Sequence, residues 1–434
     1  SAPCLTPGKR ASYNGIVISG GAARGKPVSN ERIWPALGDT RLPYWVYSDP
    51  GLYALEQERI FCGSTWNYVA LEAEIPKPGD FKRSFIGDKS VVVVRDAAGG
   101  INVLENRCAH RGAQFCQRHL GHAQEFICPY HQWTYRLDGT LQAVPFRRGV
   151  KGQGGMPKDF ALEQHGLRAL KVARRNGVVF ASFADAVEPF EDYLGREILA
   201  LFDRVFDGRG LRVLGYSRQL TPANWKLVIE NIKDPYHASL LHVFLLSFGL
   251  NRADQPNRLV IDPSGRHAAG MTWRGEQKRT ADNAEMRSLI EDLKLADPSM
   301  LEPVKEYAQY TIVLMTIWPN LVMQQQSNTL AMRQVIPKGP GAFELAWTFF
   351  GYETDDEAMT RRRLRQANLM GPAGFVSIDD GEVMGFVQQG AGQAPDAAGV
   401  LEMDGSGWAE ETPHAVTEGE IRAMYAHYRK VMGL

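Results

Sequence analysis

The pattern of apolar and polar positions divides the chain into a strand-rich first part and a mixed second part. From about residue 65 to 183 the apolar runs are short, as at 91–94 and 101–104, and a turn of Asp, Ala and Gly residues separates these two runs. Short apolar runs bounded by turn residues are typical of antiparallel strands. The pattern therefore predicts a small all-β domain over residues 65–185.

The remaining segments predict a larger α+β domain over residues 186–434, to which a helical segment at 31–64 also belongs. Helical spacing of apolar residues predicts helices at 190–206, 225–246, 286–295 and 418–431. Strands are predicted at 211–220, 311–317, 321–326, 330–336 and 343–351. Short polar connections between the last four predict an antiparallel meander. One further helix carries Arg361, Arg362, Arg363 and Arg365, and we expect this basic face to be solvated. The predicted fold class is α+β, with the all-β domain inserted before the larger one.

Composition narrows the class of protein. Lysine plus arginine equals aspartate plus glutamate at 49 each, so zero net charge argues against a nucleic-acid or anionic-membrane partner. No apolar run is long enough to span a membrane. Residues 1–30 are rich in Gly, Ser and Ala without the apolar core of a signal peptide, and we interpret them as a disordered leader. The five cysteines indicate no disulfide framework, which predicts a reducing compartment, the cytoplasm.

Two short motifs in the all-β part supply candidate metal ligands. Cys108 and His110 form a Cys-x-His pair, and Cys128 and His131 form a Cys-x-x-His pair. Structural zinc usually takes cysteines as Cys-x-x-Cys, whereas a Rieske [2Fe–2S] cluster takes two Cys on one iron and two His on the other. The spacing therefore favours a Rieske cluster over a zinc site or four unrelated core residues.

A third pair, Cys116 and His119, also reads Cys-x-x-His. It follows His110 too closely to form an independent loop, and no strand precedes it. We therefore leave this pair out of the predicted ligand set.

Residues 230–242 hold a second group of candidate ligands, His237 and His242. On an ideal helix a spacing of five separates two side chains by about 140°. Binding one metal would require a distorted helix, which the nearby Pro235 makes plausible. Asp234 lies three residues before His237 and can share its face.

A third ligand for such a metal is expected from the acidic pair Asp379 and Asp380. Two histidines and one carboxylate form the donor set of non-heme Fe(II) oxygenases. From the residues alone, the alternative of ordinary helix histidines and a helix-capping acidic pair stays open.

Together these motifs resemble the large (α) subunit of Rieske non-heme iron ring-hydroxylating oxygenases. The resemblance covers nearly the whole chain after residue 30. Within that family the chain is similar to enzymes for carboxylated rings: the large subunits of anthranilate 1,2-dioxygenase, salicylate 5-hydroxylase and terephthalate dioxygenase. The similarity lies in Glu-Asn-Ile-Lys-Asp-Pro-Tyr-His at 230–237, Gly-Gly-Met-Pro at 154–157 and Gln-Ala-Asn-Leu at 366–369.

The resemblance implies a role for each candidate and a set of partners. His237, His242 and Asp380 would hold a mononuclear Fe(II) in a helix-grip catalytic domain. Asp234 would hydrogen-bond a ligand histidine and relay electrons from the Rieske cluster of a neighbouring subunit, which implies a trimer of αβ pairs with a small β subunit. Electrons would come from NADH through a separate reductase and often a ferredoxin, since this chain has no glycine-rich dinucleotide motif.

The substrate is predicted from the strand at 330–336. Arg333 shares a face with residues 331 and 335, and the strand pattern alone does not decide whether it points outward or into a cavity. The resemblance favours an aromatic carboxylate at Arg333, with Asn231 as a further candidate contact. Residues 386–390 offer only glutamines where a dicarboxylate would need a second cation. We therefore predict an ortho-substituted benzoate as the substrate, and we favour anthranilate over salicylate. A 2-halobenzoate or terephthalate is an alternative substrate.

Two further alternatives are considered. A demethylase or amide-type monooxygenase on the same scaffold would differ in its products, because demethylation releases formaldehyde. A non-catalytic zinc-binding protein would be colourless, whereas a Rieske cluster is red-brown.

Overall fold

The computed structural model describes residues 33–275, 279–302, 304, 306–307 and 310–434. The predicted leader lies outside these residues. The strands are β1 (Arg41–Pro43), β2 (Asn67–Leu71), β3 (Asp80–Ile86), β4 (Lys89–Arg95), β5 (Ile101–Glu105), β6 (Leu120–His122), β7 (Phe126–Ile127), β8 (Thr134–Tyr135), β9 (Leu141–Ala143), β10 (Lys171–Arg175), β11 (Val178–Ser182), β12 (Leu211–Thr221), β13 (Asn257–Ile261), β14 (Ala268–Thr272), β15 (Ile312–Ile317), β16 (Leu321–Gln326), β17 (Thr329–Pro337), β18 (Phe343–Tyr352), β19 (Ala398–Val400) and β20 (Glu411–Thr412).

The helices are α1 (Pro50–Glu56), α2 (Phe190–Leu194), α3 (Arg196–Asp203), α4 (Trp225–Ile232), α5 (Pro235–Leu241), α6 (Val243–Ser247), α7 (Glu357–Met370), α8 (Ser377–Gln393) and α9 (Gly419–Met432). A π-helical turn over Gln57–Phe61 extends α1. Within the described residues, no helix combines the length and the apolar character needed to cross a bilayer.

The first of two compact units is formed by Glu74–Ser84 and Lys89–Leu170. Its strands form a four-stranded sheet in the order β5-β4-β3-β6 and a three-stranded sheet in the order β7-β8-β9. Apart from a 3₁₀ turn at Leu162–Gln164 and the last residue of another at Glu72–Glu74, these residues contain no helix, which confirms the prediction of an all-β domain. The predicted limits at residues 65 and 185 stay a prediction.

The second unit is formed by Ile33–Ala73, Phe85–Asp88 and Lys171–Leu434. Its main sheet has eight strands in the order β12-β18-β17-β16-β15-β14-β13-β20, and its described pairs are antiparallel. The predicted meander is confirmed: β16 has its predicted limits, β15 and β18 differ from theirs by one residue at one end, and β17 is one residue longer at each end. One face of the sheet packs into a core with α2 and α3, in which the methionines Met271, Met315, Met323 and Met332 are buried.

Three helix predictions need correction. The helix expected at 190–206 is divided into α2 and α3 by Gly195, whose φ of 71° lies in the left-handed region. The segment 286–295 forms turns, because its polar groups bond to neighbours elsewhere: Ser288 donates to the Leu240 carbonyl, and the Ile290 N–H donates to the Ser247 hydroxyl. The helix expected at 225–246 is divided into α4, α5 and α6.

The basic face of α7, which was expected to be solvated, also needs correction at Arg363. Arg361, Arg362 and Arg365 of α7 are exposed or half-exposed, but Arg363 is buried and pairs with Asp355 (2.7 Å) and Glu306 (2.6 Å). Helical periodicity turns this one arginine inward, where two carboxylates compensate its charge.

A buried ion pair anchors α4, the helix that leads into the candidate metal site. Lys226 Nζ lies 2.6 Å from Glu56 Oε1, and both side chains are fully buried. The same carboxylate accepts hydrogen bonds from the Trp225 indole (2.8 Å) and the Tyr428 hydroxyl (2.7 Å). Helices α1, α4 and α9 therefore share one fully hydrogen-bonded carboxylate, which fixes the start of α4.

Candidate active site

Two breaks in the helical segment bring the predicted histidines together. The Asp234 carboxylate accepts hydrogen bonds from the backbone N–H groups of Tyr236 (3.0 Å) and His237 (3.2 Å), so it caps α5, with Pro235 in the first turn. His242 adopts a non-helical backbone (φ −87°, ψ 89°) and separates α5 from α6. As a result the two imidazole rings lie 5.2 Å apart, centroid to centroid. The helix is therefore distorted between His237 and His242, as their spacing of five residues required for binding to one metal.

Asp380 completes the group from α8. Its Oδ1 atom lies 3.1 Å from His242 Nε2 and 3.5 Å from His237 Nε2. One donor atom from each of the three residues falls within 4.8 Å of the others, and no other such trio of His, Cys, Asp or Glu exists among the residues that the structure describes. Two imidazoles and a carboxylate on one side of a metal leave coordination positions open for O₂.

Each histidine has a second carboxylate on its other ring nitrogen. His237 Nδ1 lies 3.4 Å from Asp234 Oδ2, and His242 Nδ1 lies 3.4 Å from Asp379 Oδ2. Such partners orient a ligand imidazole and raise its basicity. The two aspartates of the acidic pair therefore make different contacts. Asp380 faces the Nε2 atoms of both histidines, and Asp379 contacts Nδ1 of His242. Sequence reasoning gave Asp379 no partner, because the direction of each side chain depends on how α8 is rotated.

Electrostatics keep the Asp380 carboxylate ionised. Burial raises its pKa, but hydrogen bonds from His237 and His242 outweigh burial and hold the pKa well below the usual range. Burial lowers the pKa of His237, whereas hydrogen bonds to Asp234 and Asp380 raise it to about 10. The group is a strongly anionic environment for two imidazoles, which suits a divalent cation.

Asn231 lies directly against this group. Its Nδ2 atom is 3.1 Å from Asp380 Oδ1 and 3.3 Å from His237 Nε2. It also lines the adjoining cavity. The predicted substrate contact of Asn231 stays a prediction.

The cavity lies between the helices and one face of the eight-stranded sheet. Its sheet wall consists of Arg333 of β17 and of side chains that pair across neighbouring strands, namely Asn257, Leu259, Gly270, Thr272, Ile312, Leu314 and Gln326. Its helical wall includes His237, His242, Leu245 and Asp380. The glutamines of residues 386–390, predicted to form an opposite wall, are not among the lining residues. Gln388 instead accepts from the Asn224 N–H at 2.8 Å and donates to the Tyr47 carbonyl.

Arg333 points into this cavity, which decides between the two orientations that the strand pattern left open. The side chain is 4% exposed, and its guanidinium lies 4.4 Å from the centre of the Trp347 ring. Its Nη2 donates to Gln324 Oε1, while Nε has no hydrogen-bond partner. Burial lowers the pKa of Arg333 to about 10, with the Asp380 carboxylate opposing. No carboxylate pairs with it within the described residues.

The two loops of the first unit that carry the predicted cluster ligands share one hydrogen-bonding pattern. In the first loop the Cys108 N–H donates to the Ala113 carbonyl and the Gly112 N–H donates to the Cys108 carbonyl, both at 2.9 Å. In the second loop the Cys128 N–H donates to Trp133 and the Gln132 N–H donates to Cys128, also at 2.9 Å. Gly112 has φ 75°, which explains the glycine in this tight turn.

The four predicted cluster ligands fit a two-iron group better than a single metal ion. The rings of His110 and His131 lie 4.5 Å apart, and His110 Nδ1 is buried with no hydrogen-bond partner. Cys108 and Cys128 are buried. No three of these four ligands have donor atoms within 4.8 Å of one another in the described structure. One tetrahedral zinc would require such proximity, so the arrangement argues against the zinc alternative.

Comparison with known proteins shows the class to which fold and sites belong. Residues 209–434 match the family described as "Ring hydroxylating alpha subunit (catalytic domain)", and residues 65–153 match the Rieske [2Fe-2S] domain. The chain therefore belongs to the Rieske non-heme iron aromatic-ring-hydroxylating oxygenases, as a large (α) subunit. It carries a Rieske [2Fe–2S] domain and the catalytic domain that binds mononuclear iron in this family.

Particular relatives refine this placement. The chain is 53% identical to the large oxygenase component of salicylate 5-hydroxylase from Ralstonia sp., over 92% of this chain and 96% of the relative. It is 46% identical to the anthranilate 1,2-dioxygenase large subunit of Burkholderia cepacia, over 91% and 94% of the two chains. The structure of naphthalene 1,2-dioxygenase from Rhodococcus sp. bound to indole matches with a TM-score of 0.73 at 25% identity, covering 91% of this chain and 94% of that one.

Proposed function

We propose that this subunit hydroxylates an aromatic ring bearing one carboxylate and an ortho substituent, with salicylate ahead of anthranilate. The observation that carries the proposal is Arg333, a buried cation in the cavity beside the predicted iron ligands. A buried charge without a counterion is costly, and an anionic substrate would supply the missing partner. Among the described residues that line the cavity, Arg333 is the one arginine or lysine, which favours a monocarboxylate over terephthalate.

The ortho substituent is inferred from a hydrogen-bond relay on the sheet wall. An arginine can only donate, so Gln324 must turn its Oε1 atom toward Arg333. Gln324 then offers its Nε2 to Gln326 Oε1, which leaves the Gln326 amide nitrogen as a donor beside the cavity that Gln326 lines. A donor suits the phenolic oxygen of salicylate better than the amino group of anthranilate. This relay, with the greater identity to the salicylate relative, reverses the order favoured by the sequence.

The residues of this chain have separate tasks in the proposed reaction. His237, His242 and Asp380 hold the mononuclear iron, which when bound supplies O₂ activation. Arg333 binds the substrate carboxylate and orients the ring toward these ligands. Asp234 positions His237 and carries the predicted electron relay from the cluster of a neighbouring subunit.

Members of this family work with a reductase and often a ferredoxin, and many have β subunits. We propose that electrons come from NADH through such partners, that a β subunit completes a ring of three αβ pairs, and that the complex is cytoplasmic.

Single turnover with several substrates tests the proposed function without knowledge of the partner proteins. The iron-loaded protein would be reduced chemically, mixed with ¹⁸O₂ and one substrate, and analysed by mass spectrometry. We expect product from salicylate first and anthranilate second, less from 2-chlorobenzoate, and least from terephthalate and naphthalene. One incorporated ¹⁸O atom indicates monohydroxylation and two indicate dioxygenation. Preference for terephthalate or naphthalene would contradict the proposal, and release of formaldehyde from N-methyl substrates would favour the demethylase alternative.

Replacing Arg333 with alanine should lower kcat/KM for salicylate by about 10- to 100-fold. The loss follows from a charge-assisted hydrogen bond to a carboxylate, worth about 1.5–3 kcal/mol. Steady-state oxygen uptake measures the change. Salicylamide is the matched control, because it lacks the anionic charge and should lose far less. Equal kinetics of the variant and the unmodified protein on salicylate would remove the basis of the proposal.

A further inference from the structure

Helix α8, which carries Asp379 and Asp380, begins without a side-chain cap of its own. The residue before its first turn is Val376, whose side chain has no hydrogen-bonding group and whose backbone is non-helical (φ −124°, ψ −67°). A Ser, Thr, Asp or Asn at this place commonly fixes the first turn of a helix. The orientation of the turn that carries the two aspartates must therefore be set by contacts from another element.

Gln219 of β12 makes such a contact. Its Nε2 atom donates to the Ser377 carbonyl at 3.0 Å, and its Oε1 atom accepts from the Ser377 hydroxyl at 3.1 Å. A carbonyl can only accept, so the orientation of the Gln219 amide is fixed. Ser377 is the first residue of α8 and lies three positions before Asp380. One amide from the sheet thus holds both the backbone and the side chain of this first turn.

Gly381, the residue after Asp380, leaves room for the Gln219 amide. A Cβ atom at position 381 would lie 2.8 Å from Gln219 Nε2, which is closer than side-chain atoms approach in folded proteins. Glycine inside a helix is less favourable than alanine. Helix α8 therefore carries an unfavourable residue at the point where Gln219 approaches it.

The rotation of α8 about its own axis decides which carboxylate faces the histidines. Successive residues of an α-helix point about 100° apart. Asp380 Oδ1 lies 3.1 Å from His242 Nε2, whereas Asp379 Oδ2 lies 3.4 Å from His242 Nδ1. Gln388 fixes the distal part of α8 through its own hydrogen bonds, but more than two helical turns separate it from Asp380. The rotation at the aspartates therefore depends on the contact at the first turn.

We propose that Gln219 is a positioning residue that holds the two aspartates of α8 in register with the histidines and thereby sets the affinity of the site for Fe(II). The inference rests on the assignment of His237, His242 and Asp380 as iron ligands, which is part of the proposed function. Removing a group that orients a metal ligand typically weakens metal binding by about 10- to 100-fold. Gln219 acts through Ser377, so we expect an effect at the lower end of this range.

The test is Fe(II) binding to protein that keeps its cluster but has been depleted of mononuclear iron, measured by anaerobic competition with a chromogenic chelator. Gln219→Met preserves the approximate length and volume of the side chain but removes the amide. It should raise the dissociation constant for Fe(II) about tenfold. A folded Gln219→Met protein with an unchanged dissociation constant would overturn the proposal.

Gly381→Ala tests the same contact without altering Gln219 itself. The added methyl group displaces Gln219 Nε2, so the dissociation constant for Fe(II) should again rise about tenfold. Gly390→Ala is the matched control, because a Cβ there meets no neighbouring group within 4 Å and the residue belongs to the same helix. Alanine favours the helix in both variants, so neither should lower the melting temperature. Unchanged Fe(II) affinity in Gly381→Ala would overturn the proposal, since a merely structural role of Gln219 predicts that result.

Gly381→Ala also covers the case in which Gln219→Met does not fold. These measurements need no substrate, so they stand even if the chain does not hydroxylate salicylate. An unmodified protein that binds no Fe(II) beyond its cluster would overturn the ligand assignment and this proposal with it. That outcome is recognised from the unmodified protein alone, before any variant is compared.

Discussion

Replacing Asp380 with alanine should abolish ring hydroxylation and leave the visible spectrum of the Rieske cluster unchanged. The substitution removes the one carboxylate that faces both histidine Nε2 atoms, at 3.1 and 3.5 Å, and two imidazoles alone hold Fe(II) weakly. Iron content should fall from about three to about two atoms per chain, and single-turnover product by at least about a thousandfold. Elemental analysis and product quantification measure the two effects separately.

Asp379→Ala is the matched control for this prediction. Its carboxylate stands behind His242, so its loss should weaken iron binding by about 10- to 100-fold without removing a ligand. The variant should therefore retain iron when Fe(II) is supplied in excess. If Asp379→Ala lost the iron and Asp380→Ala kept it, the third ligand would have to be reassigned.

Replacing Cys108 with serine should bleach the protein. A serine hydroxyl is a poor substitute for the iron-bound thiolate, so the cluster should be lost and with it all electron transfer to the catalytic iron. The visible absorbance of the protein, together with its acid-labile sulfide, measures the loss. Mononuclear iron should still bind, because His237, His242 and Asp380 belong to the second unit.

Cys116→Ser provides a closely matched comparison, because Cys116 is as buried as Cys108 and lies eight residues away in the same unit. The Cys116 Sγ donates to the Arg118 carbonyl oxygen at 3.7 Å, which an iron-bound thiolate could not do. We expect the visible spectrum to persist in this variant. Bleaching by Cys116→Ser together with an intact spectrum in Cys108→Ser would show that the ligand set is wrong.

The parts of this molecule that sequence predicted well depend on short-range patterns. The meander strands are long, apolar and separated by Pro, Asn and Gly, so their limits are found to within one residue at each end. The second metal motif combines two histidines at a short spacing, and the structure brings their rings to 5.2 Å of each other. The ligand role of these residues stays a prediction. Segment 286–295 has helical spacing but no helix, because its polar groups find partners on α5 and α6 instead of within the segment.

The details of the sites depend on contacts that no local pattern encodes. Asp379 meets His242 only because α8 is rotated to that angle. Gln326 becomes a donor beside the cavity because Arg333, seven residues later and on the next strand, fixes the amide of Gln324. Tyr135 reaches Cys108 across 27 positions of sequence. One signal in the sequence could have found this group. Side chains alternate in direction along a strand, and this alternation in β16 and β17 places Gln324, Gln326 and Arg333 on one face of the sheet.

The alternation of the central strands has a consequence for how such an enzyme can diversify. On β16, Gln326 lines the cavity and Gln324 lies on the same face of the strand, whereas Leu321 and Met323 are buried in the core on the opposite face. Neighbouring positions of this strand are therefore under different selective pressures. Residues on the cavity side are selected for ligand binding, and residues on the core side are selected for folding. Substitutions at even-numbered positions of this strand can change which aromatic acid the cavity binds, while the hydrophobic packing on the other face stays intact. Oxygenases built on this sheet can thus change their substrate specificity through substitutions on one face of the sheet.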